Sequence, residues 1–236
     1  MPAYGRFLVA LTAALAIPAI PAAEACIPPD RAALLILDAS YSMRRGVART
    51  GTDRFNLARR AVVAVVDLFP PDGQLALRFY GSQSQTIRED CTDTTLAVPF
   101  APAAVNRDAI LQALSDAHAR GLTPIAYALH QAVTDFPDDD DLDKVIIVVS
   151  DGIESCYGDP CGAATELGLM GFMVHTVGFV VSREARAQLQ CVANVTGGTY
   201  FDVPVAVQLP DTLKEAFSAC PIAMLRQDAT DRPALG

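Results

Sequence analysis

The run Leu34-Leu35-Ile36-Leu37-Asp38-Ala39-Ser40-Tyr41-Ser42-Met43 places one carboxylate and two hydroxyls at alternate positions directly after an apolar stretch. Buried parallel strands read as continuous apolar runs. Ligands of open α/β sheets collect beyond the carboxyl ends of such strands. Asp38, Ser40 and Ser42 converging there would form an all-oxygen pocket. That chemistry suits a hard divalent cation such as Mg2+ rather than zinc or copper. Alone, the motif is a weak signal, because Asp and Ser also end strands and fill turns.

Two later segments strengthen it. Val145 to Ser150 is a second β-branched apolar run, and it ends in Asp151-Gly152. Between the two runs, Gly121-Leu122-Thr123-Pro124 precedes a helical pattern of Ile125, Ala128, Leu129, Ala132, Val133 and Phe136. Each segment also has an ordinary structural reading. Threonine at an N-cap with proline at the first helical position is a common helix start, and Asp-Gly is a common turn. Taken together, they supply acids at two strand ends and a hydroxyl at a helix start.

The set Asp38-x-Ser40-x-Ser42, Thr123 in a G-x-T-P context and Asp151-Gly152 resembles the metal-ion-dependent adhesion site of the von Willebrand factor type A domain, with all five motif positions filled. The resemblance runs from about Ala32 to Cys220. Its details look most like bacterial exported members, through Ser150-Asp151-Gly152-Ile153-Glu154-Ser155-Cys156 and Thr196-Gly197-Gly198-Thr199-Tyr200-Phe201-Asp202. It implies an α/β, Rossmann-like three-layer sandwich, with a mostly parallel central sheet and one short antiparallel edge strand. It further implies that Ser40, Ser42 and Thr123 bind Mg2+ (or Mn2+) through their hydroxyls. Asp38 and Asp151 would partly hold waters and orient those hydroxyls. Neutral hydroxyl ligands leave the charge of the cation incompletely offset. The completing ligand is then expected to be an Asp or Glu carboxylate presented by a partner protein. The helix starting after Thr123 would add the positive end of its dipole.

The N-terminus reads as a secretory signal: Arg6, an apolar core from Phe7 to Ile20, and Ala23-Glu24-Ala25 as the cleavage site. Cleavage after Ala25 places the protein in the periplasm or outside the cell. Pro18 and Pro21 interrupt the run, which argues against an uncleaved anchor. No later segment is long and apolar enough to span a bilayer, so the mature chain is expected not to cross the membrane. Residues 26–220 then form one domain, and 221–236 a short polar tail. A hydrophobic content of 51% is enough for a single core. The net charge of −9 is unchanged by signal removal, since Arg6 and Glu24 leave together. An acidic surface disfavours nucleic acid and anionic lipid as partners. The isolated chain is expected to be monomeric.

Cys26, Cys91, Cys156, Cys161, Cys191 and Cys220 all follow the cleavage site. An even count in an exported chain argues for disulfides, with about 15 possible connectivities. A zinc site lacks support, because no C-x2-C pair or histidine cluster is present. In the fold that the resemblance implies, strand one starts and the last helix ends on the side opposite the metal, so Cys26 and Cys220 are expected to pair. Cys156 and Cys161 flank a short loop and form a second candidate pair, which leaves Cys91 with Cys191.

The elements that position these residues are a strand at 33–38, a helix at 54–68, a strand at 74–80 and a short edge strand near 95–99. Helices near 105–117 and 124–135 follow, then strand 144–150, helix 161–169, strand 172–179, helix 183–195, strand 199–203 and helix 209–219. Asp53 and Ser182 sit as N-caps, and Gly171 and Gly197 where helices stop. The acidic run Asp138 to Asp141 with Asp143 lacks the EF-hand pattern and reads as a solvated turn. Arg44, Arg45 and Arg49 follow Ser42 as loop charges that could attract an acidic partner.

Three functions compete for this pattern: a metal-dependent adhesion or assembly module, a metal-dependent hydrolase, and a structural cell-envelope protein. A serine hydrolase needs a base beside its nucleophile. The histidines are His118, His130 and His175, and no G-x-S-x-G elbow is present. No general base or second metal cluster is evident for hydrolysis. The adhesion module is the expected role, without catalysis.

Overall fold

The computed structural model describes residues 31–83, 90–139 and 141–218. The expected signal at 1–25, the tail at 221–236, and both Cys26 and Cys220 lie outside the described residues.

Strand β1 (Arg31–Asp38) is buried along its whole length. A 3-10 turn (Tyr41–Arg44), the small hairpin of β2 (Gly46–Val47) and β3 (Thr52–Asp53), and helix α1 (Arg54–Val66) follow. Next come β4 (Gln74–Tyr80), β5 (Thr94–Pro102), α2 (Ala103–Asp116) and α3 (Ile125–Val133). The rest is β6 (Asp143–Ser150), α4 (Pro160–Leu169), β7 (Met173–Phe179), α5 (Arg183–Val195), β8 (Tyr200–Val203), a second 3-10 turn (Ala206–Gln208) and α6 (Leu209–Ser218).

The main sheet has six strands in the order β5-β4-β1-β6-β7-β8, and every pairing is parallel except β4 with β5. Alternate side chains of β1 enter opposite layers, as the two-residue period of a strand dictates. Ala33, Leu35 and Leu37 pack with Phe55 and Val62 of α1, Ile110 of α2 and Leu213 of α6. Ala32, Leu34 and Ile36 pack with Leu129 of α3, Leu167 of α4 and Leu189 of α5. These two clusters make the three-layer α/β sandwich expected from the alternation of strands and helices.

The edge strand is longer than the expected stretch near 95–99. It spans nine residues, most of them half-buried, with shifts in register around Leu77. Its outer edge carries no partner strand among the described residues, so Pro99 and Pro102 are tolerated there. Asp53 and Ser182 cap their helices as expected, accepting from Asn56 N and Ala185 N. Gly171 and Gly197 take φ of 84° and 72° just past α4 and α5. Asp139 Oδ1 accepts from Asp141 N in an exposed turn ahead of β6.

Two expected disulfides are corrected. Cys91 pairs with Cys156, and Cys161 with Cys191. The reason lies at the start of α4. Asp159 Oδ1 accepts from Cys161 N and Gly162 N at 3.1 and 3.0 Å, which fixes Cys161 in the first helical turn. There it meets α5, which packs beside α4. Cys156 stays in the loop, its N–H held by Glu154 Oε1 at 2.7 Å. A bridge across the short loop would have to undo this cap.

Candidate functional site

The chain leaves β1 toward β4 on one side and β6 on the other. The crevice beyond the carboxyl ends of β1 and β6 is therefore the topological switch point of the sheet, where ligands of such folds bind. Asp38 ends β1, and Ser150 ends β6 with Asp151 directly after it.

Asp38 is wholly buried and spends both oxygens on positioning. Oδ1 accepts from Ser40 N at 2.7 Å, and Oδ2 from the Ser150 hydroxyl at 2.6 Å. Burial, and then the charge of Asp151, pushes the Asp38 carboxyl up to about 6, against those hydrogen bonds. The Tyr80 hydroxyl is buried close to Asp38 and Ser150, so its ionisation lies well above the ordinary tyrosine range. Ser40 bridges to Gly121, and Tyr41 N donates to Gly121 O at 2.8 Å. The segment before Thr123 is thereby tied to the end of β1.

Thr123 does not cap α3. The helix starts one residue later than the N-cap reading implies, at Ile125, with no side-chain bond from its cap residue. Glu154 takes that role: Oε2 accepts from Ala126 N at 2.9 Å. Ser155 clamps Thr123 by its backbone, accepting from Thr123 N through Oγ at 2.8 Å and donating its N–H to Thr123 O at 3.1 Å. Among the described residues the Thr123 hydroxyl has no hydrogen bond. It is left available to a ligand.

The hydroxyls of Ser40 and Ser42 lie 2.9 Å apart, and Ser42 Oγ donates to Asp151 Oδ1 at 2.6 Å. A methyl group added at Gly152 would stand 3.3 Å from Ser42 Oγ and 3.5 Å from Thr123 Oγ1. Both hydroxyls therefore face the space that the missing side chain of Gly152 leaves open. Asp38, Ser40, Ser42, Thr123 and Asp151 are brought together, and their donors are all oxygen. Such a set can accept a hard divalent cation. Over it opens a cleft of about 490 Å3, whose lining includes Ser42, Thr123, Asp151, Arg45, Arg54 and Ile153. Val180, also on the cleft wall, has φ of 55°, a strained conformation for a β-branched residue.

Sequence reasoning missed four positioning residues: Arg54, Ser150, Glu154 and Ser155. The second oxygen of Asp151 is paired with Arg54 Nη1, and the Asp151 side chain is fully buried in that pair. A signal for Arg54 existed, because a cation at the first position of a helix opposes its dipole unless an acid compensates. The other three lie in Ser150 to Cys156, where polar residues directly follow a buried strand.

None of the histidines lines the cleft. His118 Nδ1 contacts Asp116 O at 2.7 Å, and His130 contacts Glu166 at 3.2 Å. His175 is buried and accepts from Thr199 N at 3.0 Å; burial and then Arg31 pull its pKa down to about 4.

A model of the von Willebrand factor type A domain matches residues 34–215. The uncharacterized protein YwmC of Bacillus subtilis is 31% identical over 184 residues, covering 75% of this chain and 78% of that protein. Solved structures share the fold, among them the two that follow. The conserved hypothetical protein BatB of Bacteroides thetaiotaomicron superposes with a TM-score of 0.64 at 17% identity, over 84% of this chain and 99% of that one. The pilus adhesin SpaC of Lactobacillus rhamnosus GG superposes with a TM-score of 0.65 at 18% identity, over 80% of this chain but 30% of that one.

Proposed function

The chain belongs to the von Willebrand factor type A domain family, and from that premise we propose that it is an exported protein-binding module whose grip depends on a divalent cation. The Ser40, Ser42 and Thr123 hydroxyls hold Mg2+ (or Mn2+), and Asp38 and Asp151 orient them. When bound, the cation supplies a positive centre for a carboxylate. The observation that carries this reading is the convergence of the Ser42 and Thr123 hydroxyls on the space above Gly152, beside Asp151.

Each supporting residue serves that arrangement. Asp38 and Ser150 fix the turn that carries Ser40, and Ser155 and Glu154 fix Thr123 and the start of α3. Arg54 offsets the charge of Asp151 and leaves the cleft short of negative charge, so an Asp or Glu of a partner protein is the fitting occupant. Two disulfides, Cys91–Cys156 and Cys161–Cys191, suit an oxidising compartment and support export after cleavage at Ala25. A hydrolytic role would need a base poised beside the cation. Asp151, the acid that lines the cleft, is instead engaged by Ser42 and Arg54.

Thr123→Val removes a hydroxyl that no described residue uses, so the fold should hold. In thermal melts, saturating Mg2+ should raise the midpoint of the parent by the equivalent of about 2–3 kcal/mol and leave the variant unmoved. An equal rise in both would refute the assignment of Thr123.

A further inference from the structure

Beside the cleft lies a second concavity of about 440 Å3, lined by Arg44, Arg59, Arg120, His118, Phe55 and Asp53 among others. In a chain of net charge −9, three guanidiniums on one cavity are a marked local reversal. Among the described residues none of the three pairs with a carboxylate. Asp53, the acid in the lining, is spent on α1: its Oδ1 accepts from Asn56 N at 2.7 Å and Asn56 Nδ2 at 2.8 Å. Arg59 is held rigid, with Nη1 donating to Leu114 O and Ser115 O at 3.1 Å and Nη2 to the Asn56 side chain at 2.7 Å. Its charge is anchored but not neutralised by an acid.

The cavity and the candidate metal site are built on the same segments. Arg44 stands two residues after Ser42 on the 3-10 turn. Phe55 follows Arg54, the partner of Asp151. Arg120 stands three residues before Thr123, and its N–H donates to Ala39 O at 2.8 Å and Gly81 O at 3.1 Å, at the ends of β1 and β4. The basic cavity and the cleft thus draw on the same turn, the same helix start and the same loop ahead of Thr123.

We propose that the Arg44–Arg59–Arg120 cavity is a second anion subsite that takes a further carboxylate of an acidic protein segment whose first carboxylate occupies the metal cleft. This rests on the proposed function and gives the partner a chemistry: a segment bearing two or more acidic residues. Guanidiniums suit planar carboxylates because they offer paired donors. A long polyanion such as nucleic acid or polyphosphate is disfavoured by the acidic remainder of the surface. A short acidic segment meets only the local positive field.

The test uses the oxidised protein, a fluorescent ten-residue poly-glutamate peptide and its poly-glutamine counterpart, at low salt with Mg2+. The expected result is binding of the glutamate peptide alone. Arg44→Ala with Arg120→Ala should weaken it about tenfold, as one exposed and one half-buried ion pair together would give. Lysine at both positions should restore only part of the affinity, because it keeps the charge and loses the paired donors. Unchanged affinity in the alanine pair, no binding of the glutamate peptide by the parent, or a tighter arginine-dependent grip on polyphosphate would each overturn the proposal. Failure of the metal site reads differently: chelator and Thr123→Val would leave peptide binding unaltered while its dependence on Arg44 and Arg120 persists.

Discussion

Gly81→Ala is expected to unfold the protein or come close to it, at a cost of about 4 kcal/mol or more from a total that for domains of this kind is about 5–15 kcal/mol. Gly81 follows β4 at φ of 69°, and a methyl group there would stand 2.6 Å from Leu122 O and 2.8 and 2.9 Å from Ser40 Cα and N. All three obstacles are backbone, so no side chain can turn aside. They are also the backbone of the site, since Ser40 and the segment before Thr123 meet across this glycine. Gly81 O accepts from Gly121 N at 2.8 Å and from Arg120 N at 3.1 Å. The left-handed conformation adds roughly 1–2 kcal/mol for any residue with a Cβ. Urea unfolding monitored by circular dichroism checks the magnitude, with Gly46→Ala as control because nothing lies within 4 Å of that position. Similar midpoints for the two variants would contradict the close packing beneath the site.

Arg54→Ala is expected to destabilise the metal-free protein by about 3–5 kcal/mol and to make it depend on divalent cation. The Asp151 side chain has no exposure, and Arg54 is its cationic partner, itself 13% exposed. Removing one member of a buried ion pair leaves an uncompensated buried charge, which is the costly outcome. Asp38 lies close enough for its ionisation to feel Asp151, so the loss of Arg54 also sharpens the repulsion between two buried acids. A divalent cation supplies the missing positive charge. Mg2+ should therefore recover more stability in Arg54→Ala than it adds to the parent. A variant that melts with the parent in chelator, or that gains nothing extra from Mg2+, would show that Arg54 does not serve as the counter-charge of the site.

The parts of this fold that can be read from the chain are the strands buried on both faces and the capped, amphipathic helices such as α1 and α5. β1 and β6 are legible as unbroken apolar runs because helices cover both faces of a parallel sheet. β5 is read too short because it lies at the edge, half-buried, and carries Pro99 and Pro102. The hairpin of β2 and β3 is missed because each strand has only two residues. Asp38, Ser40, Ser42, Thr123 and Asp151 are visible as polar residues that interrupt apolar patterns. Their supports are hidden because each acts across the fold: Arg54 reaches Asp151 from α1, and Glu154 reaches Ala126 from the loop after β6. Cysteine pairing is hidden for the same reason. Cys156 and Cys161 are neighbours in sequence, but the Asp159 cap turns one of them into α4 and away from the other.

Whether the hydroxyls around Gly152 hold a divalent cation is decided by calorimetric titration of Mg2+ and Mn2+ into the oxidised parent and into Asp151→Ala. The expected result is a single saturable binding event in the parent, lost in the variant while the variant stays folded. Binding that survives unchanged in Asp151→Ala, or no saturable heat with either metal in the folded parent, would contradict it.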